Sequence, residues 1–276
     1  GKEGVEKTLN AQLAGIPGYR LVERTRRSSE VLSKYSKEVQ PINGSNVELT
    51  IDMGLQNIVE QQLEFAVREY APEKIMAVFM DPGTGEILSM ASRPQFNQFT
   101  REGVRKIHPV ADRYEPGSTF KIVSLSAAFD RGLITPDSNF FCYNGRYREP
   151  GVTLRDHRAY GYLSAEEILA KSSNIGVYML AKKIGRHTFH SYIKDFGFTA
   201  RTGVELTAES SGTVTRPDSK AWSKTSLSRI AMGYEVDVTA LQMVNALCVI
   251  ANGGTLYQPQ IIQRITSQDG LTMYRF

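Results

Sequence analysis

The chain has 276 residues, 41% of them apolar and 22% charged, which excludes disorder and a membrane-embedded body and leaves room for one large core. Thirty-three lysines and arginines against 29 aspartates and glutamates give a net charge of +4 with no long basic block, which argues against nucleic acid and mildly for an anionic surface or substrate. No uncharged apolar run approaches the ~20 residues that span a bilayer and Gly1-Lys2-Glu3-Gly4 is not a signal peptide, so any anchor is expected outside these residues.

In chain order, residues 1–40 are polar and mixed in charge, with Arg24, Arg26, Arg27, Lys34 and Lys37 against Glu23, Glu30 and Glu38. They hold too little apolar surface for a core and are expected to be a linker or the remnant of a preceding domain, leaving residues 41–276 as the main domain. Val47 to Ile51 is a strand candidate. Asp52 then caps a helix through Tyr70, with Leu55, Val59, Leu63 and Ala66 or Val67 at helical spacing. Lys74 to Met80 and Glu86 to Ala91, joined by Asp81-Pro82-Gly83-Thr84-Gly85, predict a hairpin.

A helix is predicted from Ser118 to Arg131, opened by Pro116-Gly117 and closed at Gly132. Ser164-Ala165-Glu166-Glu167 is a capping box that starts another, ending at the turn Ser172-Ser173-Asn174, and a further helix runs on to Gly185. Thr239 caps a last helix, stopped by Asn252-Gly253-Gly254, and Leu256 to Ile265 reads as extended. Cys142 and Cys248 fit no metal or redox spacing, and Cys248 is expected to be a small buried hydrophobe. His108, His157, His187 and His190 show no zinc spacing and are expected on the surface or in loops.

The chemistry concentrates in Glu115-Pro116-Gly117-Ser118-Thr119-Phe120-Lys121. After Lys121 the predicted helix is apolar or small up to Phe129, so it should run through the core and bury the lysine. One helical turn places Ser118 and Lys121 on the same face. Burial penalises an ammonium, lowers its pKa and leaves an amine able to take the serine proton. Ser118 also stands at a helix N-terminus, where an oxyanion is favoured and a single donor is worth about 3 kcal/mol. Ser172-Ser173-Asn174 follows 54 residues after Ser118 and supplies a second hydroxyl and a carboxamide. The hydroxyl can relay a proton between Lys121 and a leaving amine, and the amide can grip a peptide group while ordering the lysine.

Together the two elements match the S-x-x-K plus S-x-N pattern of penicillin-binding proteins and serine β-lactamases. With Leu49-Thr50-Ile51-Asp52, Asp81-Pro82-Gly83-Thr84-Gly85 and Asn252-Gly253-Gly254 in family order, residues 41–265 resemble the transpeptidase domain of class B penicillin-binding proteins, leaning toward the septal-division type through Glu115-Pro116-Gly117 and Lys171-Ser172-Ser173-Asn174. The resemblance implies an α/β (α+β) fold of the penicillin-binding-protein/serine β-lactamase type, an antiparallel sheet flanked by helices plus a helical subdomain. It implies that Ser118 attacks the penultimate D-alanine of a peptidoglycan stem peptide, that β-lactams acylate the same serine, that Lys121, Ser172 and Asn174 assist, and that no cofactor is needed. It further implies cell-wall synthesis proteins as partners and an extracytoplasmic, membrane-anchored parent.

Two departures stand out. The family's K-[ST]-G motif is missing: Lys224-Thr225-Ser226 lacks the glycine and precedes Asn252-Gly253-Gly254, so the expectation is a chain that stops before the motif and lacks the later strands, its hairpin edge unpaired and its solubility poor. Gly233-Tyr234-Glu235 carries a glutamate where many relatives have a second glycine. Two rival functions are weighed against transpeptidation: a catalytically incompetent scaffold of a cell-wall synthesis complex, and a β-lactamase. The β-lactamase needs a water-activating group, and Glu166 and Glu167 fit a helix's first turn better.

Overall fold

The computed structural model describes residues 3–24, 30–31, 37–97 and 99–275. Two short helices, α1 (Gly4–Thr8) and α2 (Asn10–Leu13), precede two small antiparallel pairs, β1 (Tyr19–Leu21) with β4 (Lys37–Val39) and β2 (Glu23–Arg24) with β3 (Glu30–Val31). Leu9 is 7% exposed and packs in one cluster with Ile87, Val110 and Leu241, flanked by Val5 and Leu13. The first two helices therefore dock onto apolar side chains from later in the chain. Arg26, Arg27 and Lys34 lie outside the described residues.

Strand β5 (Asn46–Leu49) leads into α3 (Met53–Tyr70), whose cap is the Asp52 carboxylate accepting the Leu55 N–H at 2.7 Å. The hairpin β6 (Ile75–Met80) and β7 (Ile87–Arg93) pairs Ala77 with Ala91 and Val78 with Met90. Among the described residues it gains no third strand, but α3 lies along β7, with Val59 and Leu63 packing against Ala91, Ile75 and Ala77. A four-residue helix α4 (His108–Ala111) follows, and then a 3-10 turn, Gly117–Phe120, runs directly into α5 (Lys121–Asp130). The expected single helix from Ser118 thus opens with a 3-10 turn, entered through Gly117 at φ +57.

Between the two chemical segments lie short pairs that the sequence did not announce: β8 (Asn139–Phe141) pairs with β11 (Tyr162–Ser164), and β9 (Arg146–Glu149) with β10 (Val152–Arg155). Helices α6 (Ala165–Ala170), α7 (Asn174–Ile184) and α8 (Arg186–Asp195) follow. Helix α6 carries the full Ser164/Glu167 capping box. A Cβ on Gly176 would lie 2.5 Å from Ile168 Cγ1, so only glycine lets α7 approach α6 this closely. Two-residue strands β12 (Thr213–Val214) and β13 (Val236–Asp237) flank α9 (Ser226–Ala231). Helix α10 (Ala240–Ala251), boxed by Thr239 and Gln242, then lies along β6. The extended segment becomes β14 (Ile262–Thr266), which pairs with β5 and with β15 (Thr272–Arg275).

The main core joins α5, α7 and α8: Phe120, Val123, Ala127, Val177, Leu180, Phe189 and Ile193 are each almost fully buried. Cys142 and Cys248 are both buried and free. His108, expected on the surface, is 3% exposed: all four residues of α4 are buried, and its Nδ1 lies 2.8 Å from Oδ2 of Asp112, which follows the helix. Among the described residues no helix is long and apolar enough to cross a membrane.

Candidate active site

Lys121 is the first residue of α5 and is 1% exposed, while Ser118 lies in the preceding 3-10 turn and is open to solvent. Burial pulls the ammonium down from 10.5 to about 8, with the Asp156 carboxylate acting in the opposite sense. Lys121 Nζ donates to three oxygens: Ser172 O at 2.6 Å, Ser172 Oγ at 2.9 Å and Asn174 Oδ1 at 2.8 Å. Ser172 Oγ in turn donates to Ser118 Oγ at 2.9 Å. All four residues singled out from the sequence are therefore one hydrogen-bonded chain. The link between lysine and Ser118 runs through Ser172 rather than directly.

The turn before α7 makes this possible. Ser172 holds a left-handed φ of +52, which costs a non-glycine residue about 1–2 kcal/mol and aims both its carbonyl and its hydroxyl at the amine. Ser173 caps α7, its hydroxyl accepting the Gly176 N–H at 2.9 Å. Asp156, from the residue after β10, fixes the same helix start: its carboxylate accepts from Ser173 Oγ at 2.7 Å and from the N–H groups of Asn174 at 2.6 Å and Ile175 at 3.1 Å. The Asn174 amide is oriented from the other end by the Arg155 carbonyl at 3.1 Å. Sequence reasoning missed Asp156; with its partners 17 to 19 residues away, no local spacing could flag it.

A second support lies beneath the serine. Gly117 N–H donates to Gly233 O at 3.0 Å, and a Cβ on Gly233 would sit 2.0 Å from Gly117 O. Glu235, in place of the family's glycine, takes φ +55, the region that explains why glycine is preferred there. It is held by its N–H to Glu115 Oε1 at 2.9 Å and by Arg229 at 2.9 Å. Lys224 lies over Gly151 and Thr225 precedes α9, an ordinary helix entry. Glu167 is occupied by the Ser164 cap and by Lys171 at 2.5 Å. No group of His, Cys, Asp and Glu among the described residues could hold a metal ion. A cavity of about 820 Å³ lies elsewhere, beside Gln56, Met90 and Arg105.

The family model for the penicillin binding protein transpeptidase domain matches residues 75–274. The chain belongs to the class B penicillin-binding protein transpeptidases. This transpeptidase domain is 34% identical over 274 residues to penicillin-binding protein PbpB of Mycolicibacterium smegmatis, covering 97% of this chain and 42% of that protein. It is 32% identical to peptidoglycan D,D-transpeptidase FtsI of Escherichia coli K12, covering 96% and 45%. The fold matches penicillin binding protein 3 of Mycobacterium tuberculosis, solved with ampicillin, at a TM-score of 0.85 and 31% identity over 100% of this chain and 58% of that one. The chain spans less than half the length of the curated relatives it matches.

Proposed function

We propose that this transpeptidase domain, residues 41–276, cross-links peptidoglycan stem peptides during cell division through an acyl-enzyme on Ser118. The observation that carries the reading is the buried Lys121 amine, joined through Ser172 Oγ to the solvent-open Ser118 Oγ. The similarity to FtsI and PbpB supports the substrate class, and the ampicillin complex of penicillin binding protein 3 supports β-lactams as acylating mimics. Protein partners would come from the division machinery, and the domain would work outside the cytoplasm, held by an anchor that the described residues do not include.

Neutral Lys121 accepts the Ser172 proton as Ser172 accepts that of Ser118, and Ser118 Oγ bonds to the carbonyl carbon of the penultimate D-alanine. The tetrahedral intermediate expels the terminal D-alanine as its C–N bond breaks, and the relay returns the proton to that amine. An amine of a neighbouring stem then attacks the ester, gives up its proton along the same route and frees Ser118. The Asn174 carboxamide, fixed at both ends, is placed to hold a substrate peptide group while keeping Lys121 in register.

A fluorescent penicillin tests this directly. The chain should take covalent label with one-to-one stoichiometry, and Ser118→Ala should take none; normal labelling of Ser118→Ala ends the proposal. Slow release of the label is expected, since Glu167 is committed to Lys171 and the cap. Rapid turnover of a chromogenic β-lactam would mean a hydrolase, and a chain that never labels would mean a scaffold.

A further inference from the structure

The β9–β10 hairpin presents two faces of opposite chemistry. Tyr147, Val152 and Leu154 point into the protein, while Arg146, Arg148, Thr153 and Arg155 are exposed. Arg155 stands directly opposite Arg146 across the ladder, and Arg148 opposite Thr153. Like charges paired across strands oppose the hairpin's formation. Among the described residues none of these three guanidinium groups makes a hydrogen bond or ion pair. The acids of the segment are engaged elsewhere: Glu149 accepts from Lys182 at 2.6 Å and from Tyr147 at 2.6 Å, and Asp156 holds Ser173 and Asn174. Lys224 adds a further exposed cation at the tip, its chain lying over Gly151.

The backbone of this hairpin meets the candidate active site at Arg155, whose carbonyl accepts the Asn174 amide at 3.1 Å. We propose that the Arg146–Arg148–Arg155 face docks carboxylates of the peptide substrate alongside Ser118. The inference rests on the transpeptidase reading and adds the chemical feature selected, a peptide bearing free side-chain carboxylates rather than amides. Guanidinium groups in a row on a rigid strand pair bind successive carboxylates in forked pairs, and the strip gains what the hairpin loses to cross-strand repulsion.

The test uses a rhodamine-labelled pentapeptide ending in D-alanyl-D-alanine with free side-chain carboxylates, and the same peptide with carboxamides. Anisotropy on the Ser118→Ala chain reads binding without turnover. The carboxylate peptide should bind more tightly than the amide form and weaken with salt. Arg146→Gln with Arg148→Gln should weaken it about tenfold and leave the amide form unchanged. In the Ser118 background the double variant should acylate with penicillin at the normal rate, and its melting temperature should not fall, since a like-charge pair has been removed. Should the double variant not fold, Arg148→Gln alone, opposite Thr153, should still weaken the carboxylate peptide about threefold. Equal binding of the two peptides overturns the proposal, as does an unchanged affinity in the variants. It is equally overturned if the arginines matter only for binding to phosphatidylglycerol vesicles. Loss of penicillin labelling by the unmodified chain would instead sink the transpeptidase reading, and the binding data would stand apart from it.

Discussion

A buried amine with its pKa near 8 makes the stability of the domain depend on pH in a particular direction, and Lys121→Met isolates that dependence. The folded-state value lies below the unfolded one, about 8 against 10.5. Between those values the unfolded chain binds more protons, so stability rises with pH across the window, by about 3 kcal/mol in total. Between about pH 7 and about pH 9.5 the share realised is about 2 kcal/mol by the same linkage. Other groups titrate nearby: Lys182 and Tyr178 are both pushed up, chiefly by hydrogen bonding to Glu149 for the lysine and by burial for the tyrosine. Both therefore lose stability as pH rises beyond their unfolded values, opposite in sign to Lys121. Urea unfolding of both proteins at the two pH values removes these terms by difference. Methionine leaves Ser172 O, Ser172 Oγ and Asn174 Oδ1 without their donor, costing about 1 kcal/mol each, but that loss does not vary with pH. The stability gap between parent and variant should therefore move by about 2 kcal/mol in favour of the parent as pH rises. A gap constant over that range refutes the claim that this amine is forced toward neutrality.

The rate of acylation by penicillin should rise about tenfold from about pH 7 to about pH 9, with its midpoint near 8, as Lys121 loses its proton; a flat profile contradicts the base assignment. Asp156→Asn removes the charge that favours the ammonium, so the midpoint should move lower, while the maximal rate falls because Ser173 and the Asn174 N–H lose an anionic acceptor. Gly233→Ala forces a methyl to 2.0 Å from Gly117 O at φ +84, and acylation should drop at least tenfold, or the chain melt earlier, as the floor under Ser118 shifts. Gly176→Ala, by contrast, should cost about 1–3 kcal/mol in urea unfolding through Ile168 while leaving the acylation midpoint in place.

What the sequence disclosed follows from how local each interaction is. The α3 cap, the boxes at Ser164/Glu167 and Thr239/Gln242, and the hairpin around Asp81-Pro82-Gly83-Thr84-Gly85 close within a few residues and were legible. Helix α8 was not, because no side chain caps its start and it follows α7 after Gly185 alone. Strands β8 to β11 have three or four residues each, too short for a period to show, and β8 finds its partner β11 some 20 residues away. The site divides in the same way. Ser118 and Lys121 sit one turn apart and could be read together, whereas Asp156 enters through a β-hairpin and the left-handed turn at Ser172 has no glycine to mark it.

The hydrogen-bond inventory of Lys121 also decides how the proton travels. An ammonium has three N–H groups, and here they meet three acceptors, so the charged form is fully satisfied despite its burial. When a proton leaves, one of those contacts must reverse so that the amine lone pair receives a donor. A backbone carbonyl cannot donate, and Asn174 presents its carboxamide oxygen, so only the Ser172 hydroxyl can turn round. Once Ser172 donates to the amine it must accept from Ser118, which points the nucleophile's proton down the relay and frees its lone pairs for attack. Ser172→Ala should therefore lower acylation about 10²- to 10⁴-fold at every pH, since raising the pH makes a free amine with no hydroxyl between it and Ser118. Ser172→Thr, which keeps the hydroxyl, should recover part of the rate. If the alanine variant instead regained its rate above pH 9, Lys121 would be taking the Ser118 proton directly and the relay would be wrong.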